Sequence, residues 1–229
     1  AVLSQPVVGS PLGVDHDATF TPIFADVDND QYPDLFVTGD FKTGRFLLNN
    51  RDGTFRNPRP ELPFEDEAGM GSAVADFDND GDLDWFVSAI GGEFWPLGNR
   101  LYENNNLNFT DVSAKAAVNR LRGNVQQRVS WGWGVCAEDF DNDMSLDIYV
   151  TNGFSFTYDD TFVSFDFTKD TTLLFMGLGY NTFEEKAKEM KLADTESGRT
   201  AICADFDKDG DIDILQIPAF LCRQTDLLV

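Results

Sequence analysis

Four copies of an acidic nine-residue loop, each leading into an apolar run rich in β-branched and aromatic residues, predict an all-β fold of β-propeller-type blades. The loops recur at intervals of 50, 63 and 66 residues, which suits one supersecondary unit per repeat. Each blade is expected to be a four-stranded antiparallel sheet with one calcium-binding loop. Four repeats are expected, the last one incomplete.

The loops are DVDNDQYPD (26–34), DFDNDGDLD (76–84), DFDNDMSLD (139–147) and DFDKDGDID (205–213). All carry Asp at positions 1, 3, 5 and 9, so 16 of the 40 acidic residues lie here. One DxDxD could arise by chance, but four in register do not. Alternate carboxylates on a tightly wound loop converge on one point, and Ca²⁺ takes six to eight oxygens at about 2.3–2.6 Å. The expected carboxylate ligands are Asp26, Asp28, Asp30 and Asp34 in the first loop and Asp76, Asp78, Asp80 and Asp84 in the second. In the third they are Asp139, Asp141, Asp143 and Asp147, and in the fourth Asp205, Asp207, Asp209 and Asp213. Position 7 would add a backbone carbonyl from Tyr32, Asp82, Ser145 or Asp211. Up to four Ca²⁺ ions are therefore expected. Mg²⁺ demands a stricter octahedron, and a chain with one His and no clustered cysteines suits Zn²⁺ less well still. An EF-hand is excluded, because its position-12 Glu is replaced by Val37, Val87, Val150 and Gln216.

The flanks repeat as well. Small and apolar runs (PIFA, SAVA, GVCAE, TAICA) precede the loops, and β-rich runs (DLFVTG, DWFVSAI, DIYVTNG, DILQI) follow them. Position 2 (Val27, Phe77, Phe140, Phe206) is expected to point into the core. Third strands read as RFLLNN (45–50), NRLYENN (99–105) and TTLLFMG (171–177), each followed by a turn and an aromatic residue, Phe55, Phe109 or Phe183. Helices are expected at 183–192 and 112–121, in connections between blades. The whole chain, 1–229, is expected to form a single propeller domain or propeller fragment, with repeats at about 18–66, 67–125, 126–195 and 196–229.

Charge narrows the function. Lys and Arg number 17 against 40 Asp and Glu, for a net charge of −23. Nucleic acid and anionic membrane surfaces are poor partners for such a chain. No apolar run reaches the ~18–20 residues of a membrane-spanning helix, so membrane insertion is not expected. The start, AVLSQPVVGS, lacks a basic segment followed by an apolar one, so any signal peptide is expected to have been removed. Disorder is disfavoured by 42% hydrophobic residues and 21 Phe.

The loops and their flanks resemble the FG-GAP/VCBS repeats of integrin-α-type propellers. WGWGVCAEDFDNDMSLDIYVTNGF followed by SGRTAICADFDKDGDIDILQ is most similar to the ASPIC/UnbV and cartilage-acidic-protein group. The resemblance spans about residues 18–215. It implies a Ca²⁺-stabilised propeller that is extracellular, at the cell surface or periplasmic, and that serves adhesion, matrix or surface assembly. Two departures stand out. Position 6, usually Gly, is Gln31 and Met144 in the first and third loops, which predicts strain or weaker affinity there. The fourth unit offers only PAFLCRQTDLLV as a third strand. The chain is then a fragment of a larger propeller, a small closed one completed by residues 1–18, or a subunit completed by other chains. A fragment or an assembling subunit is favoured, because an open propeller exposes sheet edges.

Other residues carry weaker signals. Aligning the repeats places Cys136 and Cys203 at neighbouring positions that face opposite sides of a strand, so no bond between them is expected. Buried free thiols are preferred over a Cys203–Cys222 bond. Trp131 and Trp133 share a strand face, read as core packing with sugar stacking as the alternative, while Trp85 and Trp95 carry no clearer signal. His16 reads as a solvated tail residue, the Asn108 sequon as a possible glycan acceptor, and the RDG at 51–53 as a hairpin turn. No catalytic motif of a hydrolase, metalloprotease, nucleotide-binding or dinucleotide-binding enzyme is present. The expected function is therefore non-enzymatic, with a protein or glycan surface partner or self-assembly into an oligomer or filament. A carbohydrate-binding lectin or polysaccharide lyase domain is the alternative.

Overall fold

In every repeat the acidic loop joins two antiparallel strands, and it is the tight turn that brings them into register. The computed structural model describes residues 19–40, 43–59, 64, 68–91, 98–119, 130–154, 167, 170–218 and 227–228. The first repeat forms a sheet in the order β1 (Thr19–Ala25), β2 (Asp34–Gly39), β3 (Arg45–Asn49) and β4 (Phe55–Arg56). The second contains β5 (Gly69–Ala75), β6 (Asp84–Gly91), β7 (Arg100–Asn105) and β8 (Asn108–Asp111), followed by the short α1 (Ser113–Ala116). The third contains β9 (Ser130–Glu138), β10 (Asp147–Asn152), β11 (Leu173–Gly177) and β12 (Phe183–Glu185). The fourth contains β13 (Gly198–Ala204), β14 (Asp213–Pro218) and β15 (Leu227–Leu228). The fold is all-β, with the antiparallel, propeller-type blades that the repeats predict.

The blades pack face to face, which explains why their central strands read as continuous apolar runs rather than alternating ones. In β6, Trp85 and Val87 join Phe36 and Phe46 of the first repeat, while Phe86, between them, joins Ile148 and Phe175 of the third. In β10, Ile148 and Val150 face the second repeat, and Tyr149 faces the fourth beside Ile214. Alternate side chains of one strand thus serve two cores, so every residue of β6 and β10 is buried. Aromatic pairs tie the first junction, with Phe36 at 5.3 Å from Trp85 and Phe46 at 5.2 Å from Phe109.

The first strands β1, β5, β9 and β13 lie side by side, and Phe20, Met70, Trp133 and Arg199, one from each, border a common cleft. Their approach is close. A Cβ at Gly71 would fall 1.8 Å from the Trp133 carbonyl oxygen, and one at Gly134 would fall 2.5 Å from the Thr200 Cα. The second and third sheets also join directly, through Ile90 with Trp131 and Gly91 with Ser130.

Several expectations need correction. The helix expected at 183–192 is strand β12, paired with β11, followed by a turn in which Met190 N–H donates to Lys186 O. Pairing with an open sheet edge overrides the local helical pattern. Of the helix expected at 112–121, only α1 forms among the described residues, and Ala117 ends it in the left-handed conformation at φ 63°. Position 2 points inward at Val27 and Phe77 and is half-buried at Phe140, but Phe206 is 46% exposed. The reason is that position 2 packs towards the next repeat, as Phe77 does on Phe183 at 6.1 Å. Phe206 has no such neighbour among the described residues.

The cysteines need the largest correction, because Cys136 and Cys203 are disulfide-bonded across a Cα separation of 6.0 Å. Positions that face opposite sides of equivalent strands are the ones that meet when one blade stacks on the next. Residues 1–18, including His16, and residues Trp95 and Cys222 lie outside the described residues.

Candidate metal centres

The four loops adopt one hydrogen-bonding plan. At position 1, the Asp26 carboxylate accepts from the N–H groups of Asp30 and Gln31, and Asp76 accepts from those of Asp80 and Gly81. Asp139 and Asp205 do the same with Asp143 and Met144, and with Asp209 and Gly210. Position 1 thereby closes the turn on itself. Position 6 takes positive φ in every loop: 72° at Gln31 and Met144, 95° at Gly81 and 101° at Gly210. Position 6 of the first and third loops is therefore a non-glycine residue in the left-handed region, as the missing glycines predict, and position 4 (Asn29, Asn79, Asn142, Lys208) takes positive φ in all four loops.

Position 9 ties each loop to the sheet. Asp34 accepts from Val27 N–H at 3.1 Å and Asn49 N–H at 2.8 Å, joining its own loop to the third strand. Asp84 does so with Phe77 and Asn104, and Asp147 with Phe140 and Gly177. Asp213 accepts from Phe206 N–H. These carboxylates are buried, at 0–5% exposure. Burial pushes Asp84 up to about 7 and Asp147 up to about 6, with nearby loop carboxylates adding to the rise. Burial likewise raises Asp34.

Positions 1, 3 and 9 converge in each loop. The sets are Asp26, Asp28 and Asp34; Asp76, Asp78 and Asp84; Asp139, Asp141 and Asp147; and Asp205, Asp207 and Asp213, each with one oxygen per residue within 4.8 Å of the others. Position 5 (Asp30, Asp80, Asp143, Asp209) is not part of these sets. Its Oδ1 instead accepts the N–H of position 7 (Tyr32, Asp82, Ser145, Asp211) at 2.7–3.0 Å. Asp30 is engaged further by Arg51, whose guanidinium nitrogen lies 2.6 Å from its Oδ2. An all-oxygen, carboxylate-rich donor set of this kind can hold a hard metal ion.

Comparison with known families agrees with this geometry. Residues 26–87 match the FG-GAP-like repeat family. That match contains the first two acidic loops and the strands between them. No curated protein matches the chain.

Adjacent loops touch. Asn79 Nδ2 donates to the Met144 carbonyl at 3.4 Å, and Asn142 Nδ2 donates to Asp211 Oδ1 at 3.3 Å. Position 4 of one loop thus reaches the following loop. Two residues outside the loops were not legible as site residues. Asn181 Nδ2 donates to Asp78 Oδ2 at 3.1 Å and to Glu103 at 3.3 Å. Nothing in the repeat register marks either residue, since Asn181 lies 103 positions from Asp78.

The paired tryptophans are half-buried and pack against the core cluster of Ala68, Met70, Ile90 and Phe167. Trp131 stacks on Phe154 at 4.1 Å, and Arg199 covers Trp133 at 4.0 Å, so a protein group occupies one face of each ring.

Proposed function

We propose that this chain is a calcium-stabilised, non-enzymatic, extracellular propeller module that serves adhesion, matrix or surface-filament assembly, and that a further protein blade covers the outer face of its fourth repeat. The observation that carries this reading is the series of position-2 side chains. Val27 and Phe77 are buried and Phe140 half-buried, each packed towards the repeat that follows, whereas Phe206 is 46% exposed beside exposed Ile202 and Ile217. At the other end of the series, Phe20 and Phe24 of β1 are also exposed. Apolar blade faces of this kind suit a further blade, whether from elsewhere in the same protein, from another chain or from a second copy.

Calcium is the proposed ion, because four carboxylate triads on tight loops match its preference for many oxygens and variable geometry. A disulfide between two repeats suits an oxidising compartment, which supports the extracellular or periplasmic assignment. No helix among the described residues is long and apolar enough to cross a membrane. Within the FG-GAP-like repeats, the sequence around the third and fourth loops favours the ASPIC/UnbV and cartilage-acidic-protein group.

The test is light-scattering mass at micromolar protein, with millimolar Ca²⁺ and then with EDTA. The reading predicts calcium-dependent association, with itself or with a captured surface protein, that Phe206→Asp and Ile217→Asp both weaken. A monomer unaffected by either variant, with calcium-independent binding to glycan arrays, would replace it with the carbohydrate-binding alternative.

A further inference from the structure

The side chain of Asn181 is fully buried, at 0% exposure, and its Oδ1 has no hydrogen-bond partner. It is presented by the β11–β12 hairpin, where Tyr180 and Asn181 both take positive φ and Thr182 N–H closes the turn on Gly179 O at 3.2 Å. This turn belongs to the third repeat, yet the amide reaches the second. Its Nδ2 contacts Asp78 and Glu103, and the side chain also bears on Asp84. An orphaned buried amide oxygen is costly and requires a reason, the more so when the nitrogen of the same amide donates to two carboxylates beside it.

We propose that the metal centre of the second loop is a composite shared between two repeats, in which Asn181 Oδ1 and the Glu103 carboxylate join Asp76, Asp78 and Asp84 around the ion. This rests on the reading of the loops as calcium sites. Without a cation, the amide turns its N–H groups to the carboxylates and leaves its oxygen unpaired. With a cation, a half-turn of the amide exchanges the nearly isosteric O and N, and the oxygen faces the ion. The orphaned acceptor is then satisfied, and the ligand number moves towards the six to eight that calcium prefers. A bound ion would also clamp the second repeat to the third. The second centre is therefore expected to be the tightest of the four.

The test is calorimetric calcium titration of the full chain, with melting measured in calcium and in EDTA. Asn181→Ala should weaken one site about tenfold or more and leave the others unchanged. Asn181→Asp, which keeps a side-chain oxygen, should hold or tighten that site while lowering the melting temperature in EDTA. Both effects on calcium affinity should vanish when Asp76→Ala has already disabled the second loop. If Asn181 only donates hydrogen bonds, the Asp variant weakens calcium binding as the Ala variant does, and the proposal falls. Unchanged affinities in Asn181→Ala overturn it too. A wild-type chain that binds no calcium removes both this proposal and the calcium reading, whereas wild-type binding with inert Asn181 variants removes this proposal alone.

Discussion

Cys136 and Cys203 are 67 residues apart and covalently join the first strands of the third and fourth repeats. The bond lies in the core between those repeats, beside Tyr149, Leu174 and Ile214. Closing a loop of this length restricts the unfolded chain by about 4 kcal/mol in the entropic account. The double variant Cys136→Ala/Cys203→Ala should therefore melt well below the wild type in calcium. Equal melting temperatures, with the wild-type bond confirmed by mass, would mean that the tie adds no stability.

Within a loop, positions 9 and 3 should separate by experiment. Asp147 holds two main-chain N–H groups, of Phe140 and Gly177, whereas Asp141 is exposed. Asp147→Ala leaves buried donors unpaired and should cost about 2–4 kcal/mol even in EDTA. Asp141→Ala should lower stability only when calcium is present. Urea unfolding of both variants, with and without EDTA, checks this contrast.

Position 6 should respond to glycine. Met144 is 84% exposed and held at φ 72°, so little packing is lost on truncation. Met144→Gly should stabilise the protein by about 1 kcal/mol, because the left-handed region is strained for a residue with a Cβ. The same denaturation curves measure it, and a destabilised Met144→Gly would show that the turn carries no such strain.

Asp40 reports on pH away from the loops. Burial raises its carboxyl to about 6. The folded state therefore holds this proton more tightly than the unfolded chain does. Its contribution to stability is fully present below the unfolded value near 4 and is lost as pH rises through about 6. Asp40→Asn should gain on the wild type in melting temperature between pH 4 and pH 7, then hold a constant difference. A difference that stays flat across that range would place Asp40 in water.

Much of this architecture was legible because the repeat is local. The acidic spacing, the apolar runs on either side and the missing glycines at positions 31 and 144 each act within about ten residues, and loops, strands and positive φ all follow. What was hidden depends on how one blade stacks on another. The Cys136–Cys203 bond, the exposure of Phe206 and the approach of Asn181 to Asp78 are set by contacts between repeats. Strand β12 was masked for a related reason, since the FEEKAKEMKL run is helical in pattern but finds a free edge on β11. Position 5 differs again. Its spacing marks it as a fourth converging carboxylate, and its Oδ1 also accepts the N–H two residues on, a contact that the spacing alone does not display.

The central claim is that calcium in the four triads holds the repeats together. Calorimetric titration of chelator-stripped protein, with metal content by elemental analysis and melting before and after, tests it most directly. Even at ten times the dissociation constant, each ion adds about 1.4 kcal/mol to stability. The account predicts up to four calcium ions per chain and a melting temperature that falls by about 10 °C or more in EDTA. A metal-free chain that melts at the same temperature as one supplied with millimolar calcium would contradict it.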